Sequence, residues 1–122
     1  MGAFSVGAKV ENITDRKRSA VLSKMLVDSG SEYTWVPAAI LDGLGIKREK
    51  KDLAFTMAND QTVIRSVGFA IVRVSKAFTV DEVVFGEKGD LHLLGARSLE
   101  GLGLTIDPRR KKLVASGPLP AA

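Results

Sequence analysis

Apolar residues along this chain come in short runs, and Gly, Pro, Asn or Asp separates one run from the next. The runs are rich in valine, isoleucine, threonine and phenylalanine, a content that is typical of β-strands. Residues 4–13 alternate as in a half-buried strand, with Phe4, Val6 and Ala8 on one face. The pattern predicts a mainly β fold, with strands at 4–13, 20–27, 33–36, 53–57, 62–67, 69–74, 78–85, 91–95, 104–106 and 112–115.

Two short helices are expected between these strands. Pro37 suits the first position of a helix over residues 37–45, and Gly43 or Gly45 suits its end. A second helix is expected over residues 96–102, with the following glycine as its cap.

A polar turn in the middle of the chain indicates a hairpin. The residues Ala58-Asn59-Asp60-Gln61 have the composition of a tight turn and would join strands 53–57 and 62–67. Gly68 is expected to break or bulge the returning strand before it resumes at residue 69.

The length of 122 residues suits one domain. The turn at 107–110 would join the last two strands into a second hairpin. Residues 116–122 contain two prolines and are expected to form a loose tail. No linker divides the chain, so residues 1–122 are interpreted as a single domain with one core.

The composition narrows the chemistry that the chain can perform. It has no cysteine, which excludes disulfides, thiolate zinc sites and a cysteine nucleophile. Its one histidine, His92, lies beside an apolar run and is interpreted as a structural or surface residue. We therefore expect no metal and no cofactor.

The net charge of +4 comes largely from basic clusters at 16–18, 47–51 and 109–112. Each cluster lies beside a turn signal and contains no aromatic residue, which favours solvated turns over a nucleic acid-binding surface. No signal peptide pattern and no apolar run as long as a membrane span is visible. The expectation is a protein that binds neither nucleic acid nor membrane and that is cytoplasmic, or else exported by a route that the sequence does not show.

One acidic residue stands in an unusual place. The apolar run Met25-Leu26-Val27 leads directly into Asp28, which Ser29 and Gly30 follow. An ionised carboxylate at the end of a buried run must be paired or must shift its pKa. The glycine lets the backbone turn sharply. This stretch therefore indicates a carboxylate held at the mouth of a strand.

The chain also contains an internal repeat. Residues 41–46, Leu-Asp-Gly-Leu-Gly-Ile, resemble residues 99–104, Leu-Glu-Gly-Leu-Gly-Leu. Each copy has the features of a short helix ended by glycine, and an apolar strand precedes each copy. The first of these strands ends at Asp28, whereas the second, after Leu94, ends at Gly95. The two halves are interpreted as related, with the acid of the first replaced by a glycine in the second.

That replacement bears on catalysis by carboxylates. Two carboxylates about 3 Å apart split their pKa values, so that one activates water while the other polarises a carbonyl. Gly95 cannot supply the second carboxylate. We therefore expect it to be Asp28 of another copy, which the two-fold axis of a homodimer would bring to the site.

Taken in order, these features resemble the retroviral-type (retropepsin-like) aspartic proteases, in particular the small single-lobe kind found also in bacteria. Asp28-Ser29-Gly30 matches the Asp-Thr/Ser-Gly signature, and Leu93-Leu94-Gly95 matches the second hydrophobic-hydrophobic-Gly signature. The turn at 58–61 lies where the flap of that family belongs. Residues 28–31 followed by Trp35-Val36-Pro37 also resemble the first lobe of pepsin-like enzymes. The triplet alone is weak, but the ordered set covers nearly the whole chain.

The resemblance implies a closed barrel with a flap hairpin, one or two short helices and a homodimeric endopeptidase activity. Asp28 is then the catalytic acid, and the Ser29 hydroxyl ties the two loops together across the dimer. Gly30 lets the substrate backbone pass closely and offers its carbonyl. Ser31 donates a hydrogen bond to the Asp28 carboxylate, which lowers the apparent pKa of the pair and implies an acidic optimum.

Further parts of the site follow from the same resemblance. Asn59 and Asp60 lie near the flap tip, over an extended peptide that binds by strand pairing. The family usually places an arginine directly after the second glycine. Here Arg97 with Glu32 is expected to replace that ion pair from a shifted position. Apolar residues of the flap strand and of 91–94 would line the pockets, which favours hydrophobic side chains at the cleaved bond.

Three functions stay open on the sequence. The first is a homodimeric aspartic endopeptidase, and the second is a non-catalytic peptide-binding or dimerisation module with the same fold. The third is a monomeric barrel for a small ligand. The triplet by itself is also typical of an Asx turn, in which Asp28 caps a neighbouring backbone N–H. Trp35 is interpreted as a core or wall residue.

Overall fold

Nine β-strands and two short helices make up residues 3–120, the part of the chain that this computed structural model describes. The strands are β1 (Ser5–Glu11), β2 (Ser19–Val27), β3 (Thr34–Pro37), β4 (Lys50–Thr56), β5 (Thr62–Val74), β6 (Ala77–Gly86), β7 (Leu93–Leu94), β8 (Leu104–Asp107) and β9 (Lys112–Ala115). The helices are α1 (Ala38–Gly43) and α2 (Ala96–Leu102). The mainly β fold expected from the sequence is confirmed.

The first seven strands form one sheet that returns on itself. Its order is β1-β2-β7-β3-β6-β5-β4, and β1 also pairs with β5 in antiparallel fashion. The strands from β1 to β5 in this order therefore close a ring, and β4 remains outside it as an edge strand. The last two strands, β8 and β9, form a separate two-stranded sheet, which is the expected second hairpin.

Strands β2 and β7 lie side by side and run parallel, and this pairing positions the site. Leu26 pairs with Leu93 and Val27 pairs with Leu94. The next residue of each strand is Asp28 in one and Gly95 in the other. The two positions that the internal repeat relates are thus neighbours at the end of one strand pair.

Apolar side chains fill the space inside the ring. Val10, Met25 and Val36 are fully buried there, and burial of a side chain of this size stabilises the fold by about 1.5–3 kcal/mol. The helices close the core with Leu41 and Leu99. A smaller cluster lies beside the β4–β5 hairpin; it consists of Trp35, Val67, Val84 and Leu93, with Tyr33, Leu26, Leu53, Phe55, Met57 and Val63 packed against it.

Strand β5 contains no break at Gly68, so that expectation was wrong. The strand is continuous, and Gly68 pairs in register with Val83. A side chain at this position would collide with the carbonyl of Lys47 and crowd the ring of Phe85. The glycine therefore allows the backbone after α1 to pack closely on the strand rather than bending the strand.

Several element boundaries differ from the expected ones; for example, β4 begins at Lys50 instead of residue 53, and α1 ends at Gly43. Strand β1 ends before Asn12, because the Asn12 carboxamide accepts the N–H of Thr14 and begins a turn. Pro37 ends β3 and precedes α1 instead of opening it. The strand expected at 91–95 is reduced to Leu93–Leu94, and His92 before it contributes one backbone hydrogen bond to β2 through its carbonyl. Helix α2 is confirmed with its expected bounds, and Gly103 ends it with a left-handed φ of 69°.

The predicted tail is exposed from residue 116 to residue 120, and its remaining two residues lie outside the described part. Ser116 holds the start of the tail through two bonds to the Gly103 carbonyl. Within residues 3–120, no helix is both long enough and apolar enough to cross a membrane.

Candidate active site

Asp28 lies at the end of β2 on a tight loop. Its backbone N–H donates to the Leu94 carbonyl at 3.0 Å, which continues the parallel pairing by one residue. Its carboxylate oxygen Oδ1 accepts the N–H of Gly30 at 3.0 Å, the Asx turn that the triplet indicates. The Asp28 side chain is half-buried, whereas Ser29 and Gly30 are exposed. The loop thus presents one oriented carboxylate at the surface of the ring.

The Ser31 hydroxyl does not donate to Asp28, so that expectation was wrong. It donates to the Tyr33 carbonyl at 3.0 Å. The N–H of Ser31 donates to the Asp28 carbonyl at 3.1 Å and closes the loop. A serine hydroxyl commonly satisfies a backbone group two residues away, and here that local bond replaces the one to the carboxylate.

The Gly95 loop packs against the Asp28 loop backbone to backbone. A side chain at Gly95 would collide with the carbonyls of Tyr33 and Ser31, so only glycine fits. The N–H of Ala96 donates to the Ser31 carbonyl at 2.7 Å, and the N–H of Arg97 donates to the Glu32 carbonyl at 3.1 Å. Gly95 therefore serves the site by allowing this close approach.

A buried chain of hydroxyls fixes the Gly95 loop from behind. The Gly95 N–H donates to Thr34 Oγ1 at 3.0 Å, and Thr34 Oγ1 lies 2.6 Å from Ser98 Oγ. Ser98 donates its one hydrogen to Asp81 Oδ2 at 2.9 Å, so Thr34 must be the donor to Ser98. This network has no signature in the sequence, since its members are 61, 64 and 17 residues apart and form no motif.

Glu32 and Arg97 do not form the expected ion pair. The Arg97 guanidinium lies 5.0 Å from the ring centroid of Tyr33, and its Nη1 lies 3.7 Å from Glu82 Oε2. Within residues 3–120, Glu32 forms no ion pair. The pair does not form because the two residues are joined only through their backbones. The Arg97 side chain points from α2 toward Glu82 of β6 and toward Tyr33, away from the Glu32 carboxylate.

A cleft of about 470 Å³ opens in front of the Asp28 loop. Its carboxylates are those of Asp28 and Glu32, and Gly30, Ser31, Thr56 and Ala58 also contribute to its surface. The walls are mostly apolar and consist of Tyr33, Trp35, Phe55, Met57, Leu91 and Leu93. The Phe55 ring packs edge-on against the rings of Tyr33 and Trp35, at centroid distances of 5.3 Å and 5.5 Å. Trp35 is therefore a wall residue, as expected.

The β4–β5 hairpin forms one side of this cleft. Its turn is closed by the Met57 N–H, which donates to the Gln61 carbonyl at 2.8 Å. Asp60 takes a left-handed φ of 64°, and the Asn59 carboxamide accepts the Gln61 N–H. Of the four predicted flap residues only Ala58 lines the cleft, and Asn59, Asp60 and Gln61 do not.

An ion pair that the sequence analysis missed fixes the root of the hairpin. Arg65 of β5 contacts both carboxylate oxygens of Asp90, at 2.7 Å and 2.9 Å. These hydrogen bonds hold the pKa of Asp90 below its usual value, although partial burial opposes the shift. Asp90 also accepts the N–H of Glu87 and precedes the cleft residue Leu91. The pair thus joins two walls of the cleft.

Ser29 and His92 lie outside the main cleft. Ser29 lines a second cavity of about 150 Å³, together with Phe4, Val27, Ile106 and Asp28. Asp28 therefore borders both cavities. The His92 side chain is exposed, as expected for a surface histidine, and its carbonyl accepts the N–H of Leu26. The bonding of Ser29 across a dimer stays a prediction.

The structure brings the Asp28 loop, the β4–β5 hairpin and Leu93 together around one cleft, and Gly95 packs against the Asp28 loop. Comparison of the chain with protein-family models and with curated proteins gave no match in either case. The function is therefore inferred from the geometry of this cleft and from the chemistry of the residues that line it.

Proposed function

We propose that this chain is a homodimeric aspartic endopeptidase, in which two Asp28 carboxylates, one from each chain, activate water. The observation that carries the proposal is the position of Asp28. Its carboxylate is half-buried in an apolar cleft, on a loop that backbone hydrogen bonds hold against Gly95. Within residues 3–120 its one side-chain hydrogen bond comes from Gly30, which leaves Oδ2 free for a ligand.

The need for a second chain follows from the same geometry. An aspartic dyad needs two carboxylates that share a proton. The neighbouring position in this chain is Gly95, which has no side chain and tolerates none. Ser29 and Gly30 are exposed beside Asp28, so a two-fold axis through this loop would place a second Asp28 opposite the first.

The proposed reaction assigns a role to each carboxylate. The ionised Asp28 accepts a proton from water as the water oxygen attacks the scissile carbonyl carbon. The protonated Asp28 of the other copy donates a hydrogen bond to the carbonyl oxygen. Transfer of a proton to the amide nitrogen then breaks the C–N bond, and the two carboxylates exchange roles. The N–H of Gly30 holds Oδ1, which fixes the direction of the carboxylate throughout.

The substrate in this proposal is an extended peptide. Strand β4 is the edge of the sheet, so one side of its backbone is unpaired. Met57 is hydrogen-bonded to Gln61 within the hairpin, and the antiparallel alternation then directs the N–H and C=O of Thr56 outward. An added peptide strand can bind there, with apolar side chains against Trp35 and Phe55.

The experiment that tests the proposal compares Asp28→Asn with Asp52→Asn. Asp52 is exposed on β4 and forms no ion pair within residues 3–120, and its left-handed φ of 57° suits asparagine equally well. Cleavage of an unfolded protein is measured from about pH 3 to pH 7. We expect Asp28→Asn to reduce the rate at least about a hundredfold and Asp52→Asn to leave it unchanged. A statine-type inhibitor should block the wild type.

One observation favours a second candidate, a peptide-binding module without catalysis. The Ser31 hydroxyl is directed at Tyr33 and leaves Asp28 with a single donor. Under this alternative the cleft binds peptides, and no inhibitor-sensitive cleavage occurs at any pH. Trp35, the one tryptophan of the chain, lines the cleft and reports binding through its fluorescence. Peptide binding without cleavage in the wild type would decide for the module.

A further inference from the structure

Glu32 is an unpaired carboxylate at the rim of the cleft. Its residue lines the cleft and is exposed, and within residues 3–120 it forms no ion pair. The nearest arginine along the Gly95 loop, Arg97, is directed at Glu82 and Tyr33 instead. A charge at the mouth of a cleft with no partner of its own is free to bind a charge on a ligand.

The backbone of Glu32 is fixed even though its carboxylate is free. Its carbonyl accepts the N–H of Arg97 at 3.1 Å, and the carbonyl of the preceding Ser31 accepts the N–H of Ala96. The carboxylate therefore projects from a held loop, and substitution of the side chain removes none of the bonds that hold the loop.

The charge of the cleft differs in sign from that of the chain. Within residues 3–120, its lining includes the carboxylates of Asp28 and Glu32 and contains no lysine, arginine or histidine. The chain as a whole has a net charge of +4. A low-dielectric cleft with one sign of charge concentrates ligands of the opposite sign. The apolar walls and the acidic rim together fit a peptide with apolar and basic residues.

We infer that Glu32 selects peptides that carry lysine or arginine close to the cleaved bond. This inference rests on the proposed endopeptidase function and adds the substrate class. In the homodimer a second copy of Glu32 lies at the symmetry-related rim. The preference therefore applies on both sides of the cleaved bond, whereas a single Glu32 would act on one side.

The test uses matched peptides with an apolar pair at the centre. One position, two to four residues from that pair on either side, is lysine, glutamine or glutamate. The ratio of kcat/KM for the lysine and glutamine peptides is measured for the wild type, Glu32→Gln and Glu32→Lys. Glu100→Gln on α2 is the control, because Glu100 is exposed and does not line the cleft. The assay is run near pH 6, within the range used for the Asp28 variants.

An exposed ion pair gives a modest preference, so we expect the wild type to favour the lysine peptide about two- to fivefold. Glu32→Gln should bring the ratio to about one, Glu32→Lys should invert it, and Glu100→Gln should retain it. Added salt should weaken the wild-type preference, since it screens exposed charges. The glutamate peptide should be the poorest substrate of the wild type.

Two results would overturn the inference. The first is cleavage that depends on Asp28 but does not distinguish lysine from glutamine, which would leave the proposed function intact. The second is a lysine preference that Glu32→Gln retains. If the wild type cleaves no peptide, the proposed function fails on its own. Binding of the same peptides, followed by Trp35 fluorescence, then decides the inference, and equal affinities or no binding would refute it.

Discussion

The buried hydroxyl of Thr34 provides the sharpest test of how the site is held together. Thr34 is fully buried, and its Oγ1 accepts the Gly95 N–H at 3.0 Å while its hydrogen goes to Ser98. The substitution Thr34→Val keeps the size and shape of the side chain and replaces the hydroxyl by a methyl group. The Gly95 N–H is then left without its acceptor in a buried position.

The expected cost follows from that single orphaned donor. A buried polar group that loses its partner lowers the free energy of unfolding by about 1–3 kcal/mol. The new buried methyl group of valine offsets part of this loss. We expect Thr34→Val to lower the free energy of unfolding by about 2 kcal/mol. For a chain of 122 residues, this corresponds to a fall of roughly 8 °C in Tm. Ser98 keeps its hydrogen bond to Asp81, so the loss is confined to the contacts of residue 34 with Gly95 and Ser98.

Urea unfolding at fixed protein concentration measures this difference, because dimer formation would make stability depend on concentration. Trp35 is buried, so its fluorescence reports the unfolding transition. Thr105→Val is the matched control, since Thr105 is exposed on β8. We expect the control to change stability by less than about 0.5 kcal/mol. A Thr34→Val variant as stable as this control would refute the structural role assigned to the hydroxyl.

Two further substitutions test the packing of the site and the anchor of the hairpin. Gly95→Ala should lower the free energy of unfolding by about 1–3 kcal/mol, because the new methyl group collides with the Tyr33 carbonyl. Urea unfolding measures this loss, and a variant as stable as the wild type would contradict the close approach of the two loops. The Arg65 hydrogen bonds lower the pKa of Asp90, so this pair stabilises the fold above about pH 4, and its contribution is lost as the pH falls through the lowered pKa. Asp90→Asn should therefore destabilise the protein at pH 7. Between about pH 5 and pH 2 the free energy of unfolding should fall less in this variant than in the wild type, as urea unfolding at each pH would show. Parallel stability profiles of the two proteins would contradict this role.

The strand pattern could be predicted from the sequence because it depends on local features. Alternation and β-branched residues place nearly every strand, and the glycine after residue 102 ends α2 as expected. The closure of the ring by β1 and β5 was not predictable in this way, because it joins residues about sixty positions apart. The role of Gly68 also depends on a distant segment, the backbone at Lys47.

The candidate site likewise has features that could be predicted from local sequence and features that could not. The Asp28 loop, its neighbour Gly95 and the cleft residue Ala58 were predicted from local motifs and from the repeat. The directions of side chains were not. The Ser31 hydroxyl donates to the nearby Tyr33 carbonyl. The Arg97 guanidinium pairs with Glu82 of β6 instead of Glu32. Such choices depend on rotamers and on neighbours that only the folded chain brings together.

The same limit explains the networks that the sequence analysis missed. The Arg65–Asp90 pair spans 25 residues, and the bond between Thr34 and Ser98 spans 64. Neither has a signature in the sequence, since the partners lie too far apart along the chain to form a motif. A polar residue inside an otherwise apolar stretch, such as Thr34 next to Trp35, is the one local signal that could have pointed to a buried bond.

The central claim is that one active site needs two copies of Asp28. Mixing experiments test it directly. Wild-type and Asp28→Asn chains are combined in equal amounts, allowed to exchange, and assayed at the same total chain concentration as the pure wild type. Mixtures with Asp52→Asn control for dilution and exchange. Random pairing leaves one dimer in four with two intact aspartates.

We therefore expect about one quarter of the wild-type activity for the mixture with Asp28→Asn, and full activity for the mixture with Asp52→Asn. A site that works within one chain would retain about one half. Activity of one half in fully exchanged mixtures would contradict the claim that Asp28 acts only with its counterpart from a second chain.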